Sequence, residues 1–101
     1  MKLSPADQAW AALVKTRDAY TCRRCLRPFP EGERRGLHAH HVFTRSRRST
    51  RHMVQNGVSL CFGDHRWAHS NPLEFHDWIR GELGPAEYDH LRLLSSGTVK
   101  R

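Results

Sequence analysis

Cysteine is scarce and odd in number. The 101 residues include three, Cys22, Cys25 and Cys61, and an odd count argues against a closed disulfide framework. A C-x-x-C pair with one distant partner has the spacing of a metal site in a reducing compartment. Long apolar runs are also missing. Nothing approaches the roughly 18–20 residues of a membrane span, and the first stretch, MKLSPADQAW, has no continuous apolar centre of the kind a signal peptide carries. The expectation is a soluble, cytoplasmic protein with no membrane partner. Aromatics reach only 9% and hydrophobic residues 38%, so the core must be small. Domains of this size bury a modest share of their surface and often need a metal or disulfides as staples. There is no internal repeat, and residues 1–101 are read as one domain.

Positive charge is plentiful. Lys and Arg number 17 against 10 Asp and Glu, for a net charge of +7 and a pI near 10.2. That balance favours a polyanionic partner, nucleic acid first. Solubility alone is the plainer alternative.

Residues 5–19 read as a helix. Ser4 suits the N-cap, Pro5 the first helical position, and Asp7 the capping-box acid. Ala9, Trp10, Leu13 and Val14 form its apolar stripe, expected to face the core. TCRRC and the turn-rich RPFPEGERRG follow. LHAHHVF (37–43) reads as a strand, TRSRRSTRHMVQNG as a basic loop, and GVSLC (57–61) as a second strand antiparallel to the first. FGDHRWAH opens a helix. Asn71 and Pro72 begin another over 72–82, with Phe75, Ile79 and Leu83 four apart. Gly84-Pro85 breaks it, a last helix over 85–94 presents Tyr88, Leu91 and Leu94, and SSGTVKR is a tail.

Two constellations carry chemistry. His65 and His69 are four apart, which on a helix stacks both imidazoles on one face within reach of one ion. A zinc-protease pattern would need Glu after the first His, and Arg66 stands there. A solvated pair of helix histidines is the bland reading. The stretch LHAHHVFTRS adds His38, His40 and His41. Successive strand residues point to opposite faces, so His40 and His41 need separate jobs.

Taken together, "HAHHVFTRS … QNGVSLCFGDHRWAH" resembles the HNH endonuclease family over about residues 20–70. The family pattern is His or Asp followed by His on a first strand, Asn before a second strand, and His on the next helix. Here these are His40-His41, Asn56 and His65. Nuclease colicins carry a His-His pair and a helical H-x-x-x-H, as this chain does. Many stand-alone phage HNH proteins add a zinc knuckle, C-x-x-C before the hairpin and L-C-x-x-C-H after it. The chain has Cys22, Cys25 and LCFGDH, with Asp64 in place of the fourth cysteine.

The resemblance implies an α+β fold: a small ββα-metal (His-Me finger) core with a zinc knuckle and flanking helices. It divides the chain into an N-terminal helix (1–20), knuckle and core (21–70), C-terminal helices (71–95) and tail (96–101). It implies that His40, His65 and His69 hold a catalytic divalent ion and that His41 is the general base. Asn56 would tie the hairpin loop and orient His41; its plainer role is a turn residue in Asn56-Gly57, and metal ligation is a lesser one. Cys22, Cys25 and Cys61 would hold a structural zinc with Asp64, since three thiolates and a carboxylate can make a tetrahedral site. If Asp64 instead N-caps the helix, His38 or water is the fourth ligand. If no zinc binds, Cys61 is simply buried and Cys22 and Cys25 exposed. His38 otherwise sits behind the catalytic ligands or stays a partly exposed strand residue.

Phosphodiester hydrolysis needs a deprotonated water, a neutralised phosphoryl oxygen and help for the departing alkoxide. An unperturbed histidine, with a pKa of ~6.5, is mostly neutral and able to accept a proton near pH 7. Three imidazoles and no carboxylate suit Zn, Ni, Co or Mn better than Mg. Arg45, Arg47, Arg48 and Arg51 follow the His pair, and Arg matches phosphate with a planar, permanently charged fork. Arg45 is the candidate for the scissile phosphate; the others would hold the duplex. The resulting expectation is a metal-dependent HNH DNA endonuclease, nicking or cutting both strands. A phage origin with work beside terminase or other packaging proteins is one setting the resemblance suggests. A zinc-stapled nucleic-acid-binding module without catalysis is the alternative from another class, and a metal-sensing domain a third.

Overall fold

The computed structural model describes residues 4–44 and 48–96. Its elements are helix α1 (Pro5–Arg17), strand β1 (Leu37–His41), a single 3₁₀ turn (Val54–Asn56), strand β2 (Gly57–Cys61), and helices α2 (Phe62–Ser70), α3 (Pro72–Leu83) and α4 (Pro85–Ser95). This is the expected α+β arrangement, an antiparallel hairpin running straight into a helix, with helices on either side.

The two strands pair from Leu37↔Cys61 to His41↔Gly57. The first strand ends at His41, short of the expected Phe43. At that point the Asn56 carbonyl takes the Val42 N–H (2.8 Å), while the Asn56 side chain takes over the backbone of Phe43. A two-stranded sheet is marginal alone, and here its outer edge is covered. The Asp18 carboxylate accepts the Ser59 N–H (2.9 Å), and the Ser59 carbonyl accepts the Arg23 N–H (2.9 Å). Burial pushes the Asp18 carboxyl up, but hydrogen bonds from Arg17 and Ser59 outweigh it and keep the group ionised.

α1 begins as the sequence indicates. Ser4 and Asp7 form a reciprocal capping box, with Pro5 in the first turn. Its buried face differs from the expected stripe. Trp10 and Val14 are buried, but Leu13 and Ala9 are exposed, and Asp7 and Lys15 are buried instead. The polar pair is buried because each finds a distant partner, Arg51 for Asp7 and the Glu33 carbonyl for the Lys15 ammonium (3.1 Å). The helix lies so close to β2 that a Cβ on Gly57 would collide with the Val14 and Trp10 side chains.

The remaining core is Leu37, Val42, Val58, Leu60, Ala68, Phe75, Ile79 and Leu91 with Cys22. It joins the hairpin to α2, α3 and α4. Phe75 and Ile79 are buried as their spacing predicts, Leu83 is only partly so, and Ser95 rather than Leu94 completes the inner face of α4. Gly84 separates the last two helices at φ 91°, a conformation that Gly adopts without steric cost. Asn71 does not cap α3 with its side chain, which donates to the Trp67 carbonyl at the end of α2 (3.1 Å). Of the expected tail, residues 97–101 lie outside the described residues.

Candidate functional site

β1, β2 and α2 bring two donor clusters together. In the first, the Sγ atoms of Cys22, Cys25 and Cys61 and a carboxylate oxygen of Asp64 all lie within 4.8 Å of one another. Cys25 Sγ is 3.8 Å from Cys61 Sγ, and Asp64 Oδ2 is 3.2 Å from Cys22 Sγ and 3.5 Å from Cys61 Sγ. Around a tetrahedral zinc, metal–ligand lengths of about 2.3 Å for S and 2.0 Å for O require S···S near 3.8 Å and S···O near 3.5 Å. The donor set therefore fits such an ion.

The knuckle is shaped by local chemistry. The Cys22 sulfur accepts the Cys25 N–H (3.4 Å), and the Cys22 carbonyl accepts the Leu26 N–H (2.9 Å). This turns Leu26 into the left-handed region at φ 67°, a conformation that costs a non-glycine residue about 1–2 kcal/mol. Cys61, not Asp64, caps α2; its sulfur accepts the Asp64 N–H (3.5 Å). Asp64 is therefore released from capping and turns Oδ2 to the thiols. Its other oxygen is held by Arg24 (2.7 Å), whose guanidinium lies 3.7 Å over the Trp67 ring. His38, the alternative fourth ligand, is not in this cluster. Burial pushes the Cys22 thiol up to about 12. A metal binding the Cys22 sulfur as thiolate must therefore displace its proton.

In the second cluster, ring nitrogens of His40, His65 and His69 also lie within 4.8 Å of one another, and His40 Nδ1 is 3.2 Å from His65 Nδ1. Two imidazoles on one tetrahedral ion at about 2.0–2.1 Å would be near 3.4 Å apart, so these residues too could hold a metal. His40 is 8% exposed, with Phe75 against its ring edge-on at 4.7 Å. Burial, reinforced by the neighbouring His65 and His69, pushes His40 down to about 3. Burial, then His38 and His69, pushes His65 to about 4. Both rings are thus neutral near pH 7, the form that ligates. His38 stacks on His65 at 4.7 Å and 6°, with its Nε2 buried and unpartnered among the described residues.

His41 stands beside this cluster with separate supports. Its Nε2 is 3.0 Å from the Arg51 carbonyl. A carbonyl only accepts, so Nε2 carries the hydrogen and the neutral ring has its lone pair on Nδ1. The ring lies flat on Trp10, 3.9 Å between centroids and 9° between planes. Asn56, fully buried, accepts the Phe43 N–H at Oδ1 (2.8 Å) and donates from Nδ2 to the Phe43 carbonyl (2.9 Å). It clamps the chain two residues beyond His41. His40, His41, His65 and His69 all line one cavity of about 850 Å³ that continues between α1 and the 32–34 turn. The alternation expected of the pair holds along the strand: the His41 ring lies against Trp10 of α1 and the His40 ring against Phe75 of α3, while both residues line the one cavity.

Arg51 is not turned outward with the basic loop. Its Nε and Nη2 grip both oxygens of Asp7 (3.1 and 2.8 Å). Arg48 is exposed; Arg45 and Arg47 lie outside the described residues. Trp10, whose spacing marks it only as core, and the Asp7–Arg51 pair also stand at this site without a sequence signal for it. The capping box singled out Asp7, but no local pattern announces a partner 44 residues away.

Residues 22–71 match a protein-family model described as HNH endonuclease. No curated protein and no solved structure matches the chain.

Proposed function

Because the chain belongs to the HNH endonuclease family through residues 22–71, we propose that it is a metal-dependent DNA endonuclease that hydrolyses phosphodiester bonds, with the described chain acting as one HNH unit. One observation carries the reading. Three histidines converge beside a fourth, His41, that is held separately with its lone pair on Nδ1.

In this proposal His40, His65 and His69 hold a catalytic divalent cation. When bound, it supplies a Lewis acid for a phosphoryl oxygen and for the leaving 3′ oxygen. His41 Nδ1 takes the proton from water as the water oxygen attacks phosphorus. The bond to the 3′ oxygen breaks, leaving a 5′ phosphate and, after protonation from solvent, a 3′ hydroxyl. Asn56 keeps the chain after His41 in place. The all-imidazole ligand set favours Mn, Co, Ni or Zn over Mg. Cys22, Cys25, Cys61 and Asp64 hold a structural zinc, with Arg24 orienting the carboxylate in the way outer partners usually orient ligands. Arg45 contacts the scissile phosphate, and Arg47 and Arg48 the flanking backbone. Arg51, engaged with Asp7, is assigned to supporting His41 rather than to DNA.

No helix among the described residues is long and apolar enough to cross a membrane, and a basic cytoplasmic nuclease fits the charge. The knuckle pattern of Cys22, Cys25 and Cys61, similar to that of stand-alone phage HNH proteins, extends the proposal to a phage-encoded enzyme working beside packaging proteins such as a terminase.

The test is supercoiled plasmid incubated with the protein and Mn, Co, Ni, Zn or Mg, with and without chelator. Relaxed or linear DNA that depends on metal supports the nuclease. A shift in DNA mobility without cleavage under every metal would replace it with the zinc-stapled binding module.

A further inference from the structure

The residues matched to the family begin at 22, yet Trp10, which stacks on His41, and Asp7, which grips Arg51, come from before them. The geometry points to α1 as part of the catalytic apparatus, with Asp7 as a positioning residue that acts on His41 through Arg51. The inference rests on the proposed nuclease reading for its kinetic consequence but not for its structural one.

Contacts made by four residues carry it. Asp7 grips the Arg51 guanidinium with both oxygens and also meets His52 Nε2 (2.8 Å). The Arg51 carbonyl takes His41 Nε2. Trp10, one turn along α1, stacks on the His41 ring and donates its Nε1–H to the Met53 carbonyl (2.7 Å). Arg17, at the end of the helix, donates to the Val54 and Gly57 carbonyls (2.9 and 2.8 Å).

One face of α1 therefore fastens the chain from Arg51 to Gly57 at several points and covers the ring of His41 as well. Asp7 is 5% exposed, and hydrogen bonds from Arg51 and then His52 hold its carboxyl far below the usual carboxylate range. The anchor is thus charged at any pH at which the enzyme would work. A carbonyl can fix an imidazole tautomer only if the carbonyl itself does not move. An ion pair at the end of that residue's side chain, and a backbone carbonyl two residues on tied to Trp10, are what restrain it.

The test uses the zinc-loaded full chain and two readouts. One is the ¹⁵N imidazole spectrum, which separates the two neutral tautomers of His41. The other is cleavage of supercoiled plasmid with Mn, with the rate at saturating DNA and the KM measured separately. The parent is expected to show His41 as the Nε2–H tautomer. Asp7→Ala should show a mixture of tautomers, and its saturated rate should fall by roughly 10²-fold while KM changes little, as expected when a reacting group is displaced by about an ångström. Asp7→Asn, which keeps hydrogen-bonding capacity toward Arg51 without the charge, should fall between.

Ser4→Ala removes the capping partner of Asp7 but not the Arg51 pair. It should lower the melting temperature and leave both readouts at the parent's values, which separates positioning from simple helix stability. If Asp7→Ala does not fold, Arg51→Lys carries the same test, because it keeps the carbonyl and the charge but breaks the two-point grip. A parental His41 tautomer and rate in the Asp7 or Arg51 variant overturns the inference. If the parent fails to cut DNA under every metal, the nuclease reading falls, and the imidazole spectrum alone decides whether Asp7 positions His41.

Discussion

The cysteine and histidine clusters share α2, meeting at the adjacent residues Asp64 and His65, yet they are built to opposite plans. The cysteine cluster draws four donors from the knuckle and the first turn of α2, and its carboxylate is braced from outside by Arg24 under Trp67. The histidine cluster draws three donors from β1 and α2 and opens into a cavity. A closed four-donor site suits a structural ion, while three donors with an open side leave room for a substrate oxygen or water. On the proposed reading one hairpin and helix carry both: the capping residue of α2 and its first turn serve the fold, and the histidines at 65 and 69 serve the chemistry.

The largest expected effect comes from attacking the closed site. Structural zinc binding in small domains is worth about 10–16 kcal/mol, comparable to or larger than the roughly 5–15 kcal/mol that keeps a typical domain folded. Stripping the metal, or replacing the buried Cys22 with Ser, is therefore expected to unfold the chain, as read by circular dichroism with one zinc per chain lost. A metal-stripped chain that melts where the parent does would make the two clusters equivalent and end the comparison. The open site should behave otherwise. His41→Ala is expected to reduce plasmid cleavage by roughly 10²–10⁴-fold, the usual worth of a general base, with zinc content and DNA affinity kept. Loss of zinc on that substitution would show the two clusters to be one unit.

Asn56 tests the join between the clusters and the base. Asn56→Ala leaves the Phe43 N–H and carbonyl without their partners inside the protein, a loss of roughly 1–3 kcal/mol. Asn56→Asp still accepts from the N–H but sets a carboxylate oxygen against the carbonyl, so it should be no better. Chemical denaturation with the zinc site loaded measures both, and an Asp variant as stable as the parent would sink this account of the clamp.

The clustered histidines predict a further difference. With the zinc site loaded and the histidine site metal-free, folded His40 and His65 titrate at about 3 and about 4, while an unfolded chain titrates them at ~6.5. Between those values the unfolded state binds more protons. Stability is therefore fully present above about pH 6.5 and falls as pH drops toward the folded values. The melting temperature of the parent should drop more steeply from pH 7 to 5.5 than that of His65→Gln. Equal slopes would contradict the burial of these rings.

Legibility in the sequence followed the range of the interactions. The capping box of Ser4 and Asp7, the knuckle pair Cys22 and Cys25 and the His65/His69 spacing all depend on residues a few positions apart, and each sits where its local pattern indicates. Asp64 was ambiguous because either a cap or a ligand fits its place. In the fold the Cys61 sulfur accepts the Asp64 N–H and takes the cap, and Asp64 stands in the cysteine cluster. What could not be read were contacts across the chain. Trp10 has the spacing of a core residue and is one, but the surface it covers is the His41 ring, brought there by a hairpin 27 residues later. Asp7 and Lys15 break the apolar stripe of α1 for partners that no periodicity indicates.

The basic loop gives the smallest effect and the finest distinction. Arg48 is exposed, whereas Arg51 is folded onto Asp7. A phosphate-contacting arginine releases condensed counterions on binding, so Arg48→Ala should weaken DNA binding alike for all sequences. It should lower the slope of log affinity against log salt by about 1, with the rate at saturating DNA unchanged. Arg51→Ala should do the reverse, keeping the salt slope and slowing the saturated step, because its side chain anchors the carbonyl on which His41 rests. Salt titrations of both variants decide the matter. Equal loss of slope in the two would place Arg51 on the DNA face and leave Asp7 as its resting partner in the unbound protein.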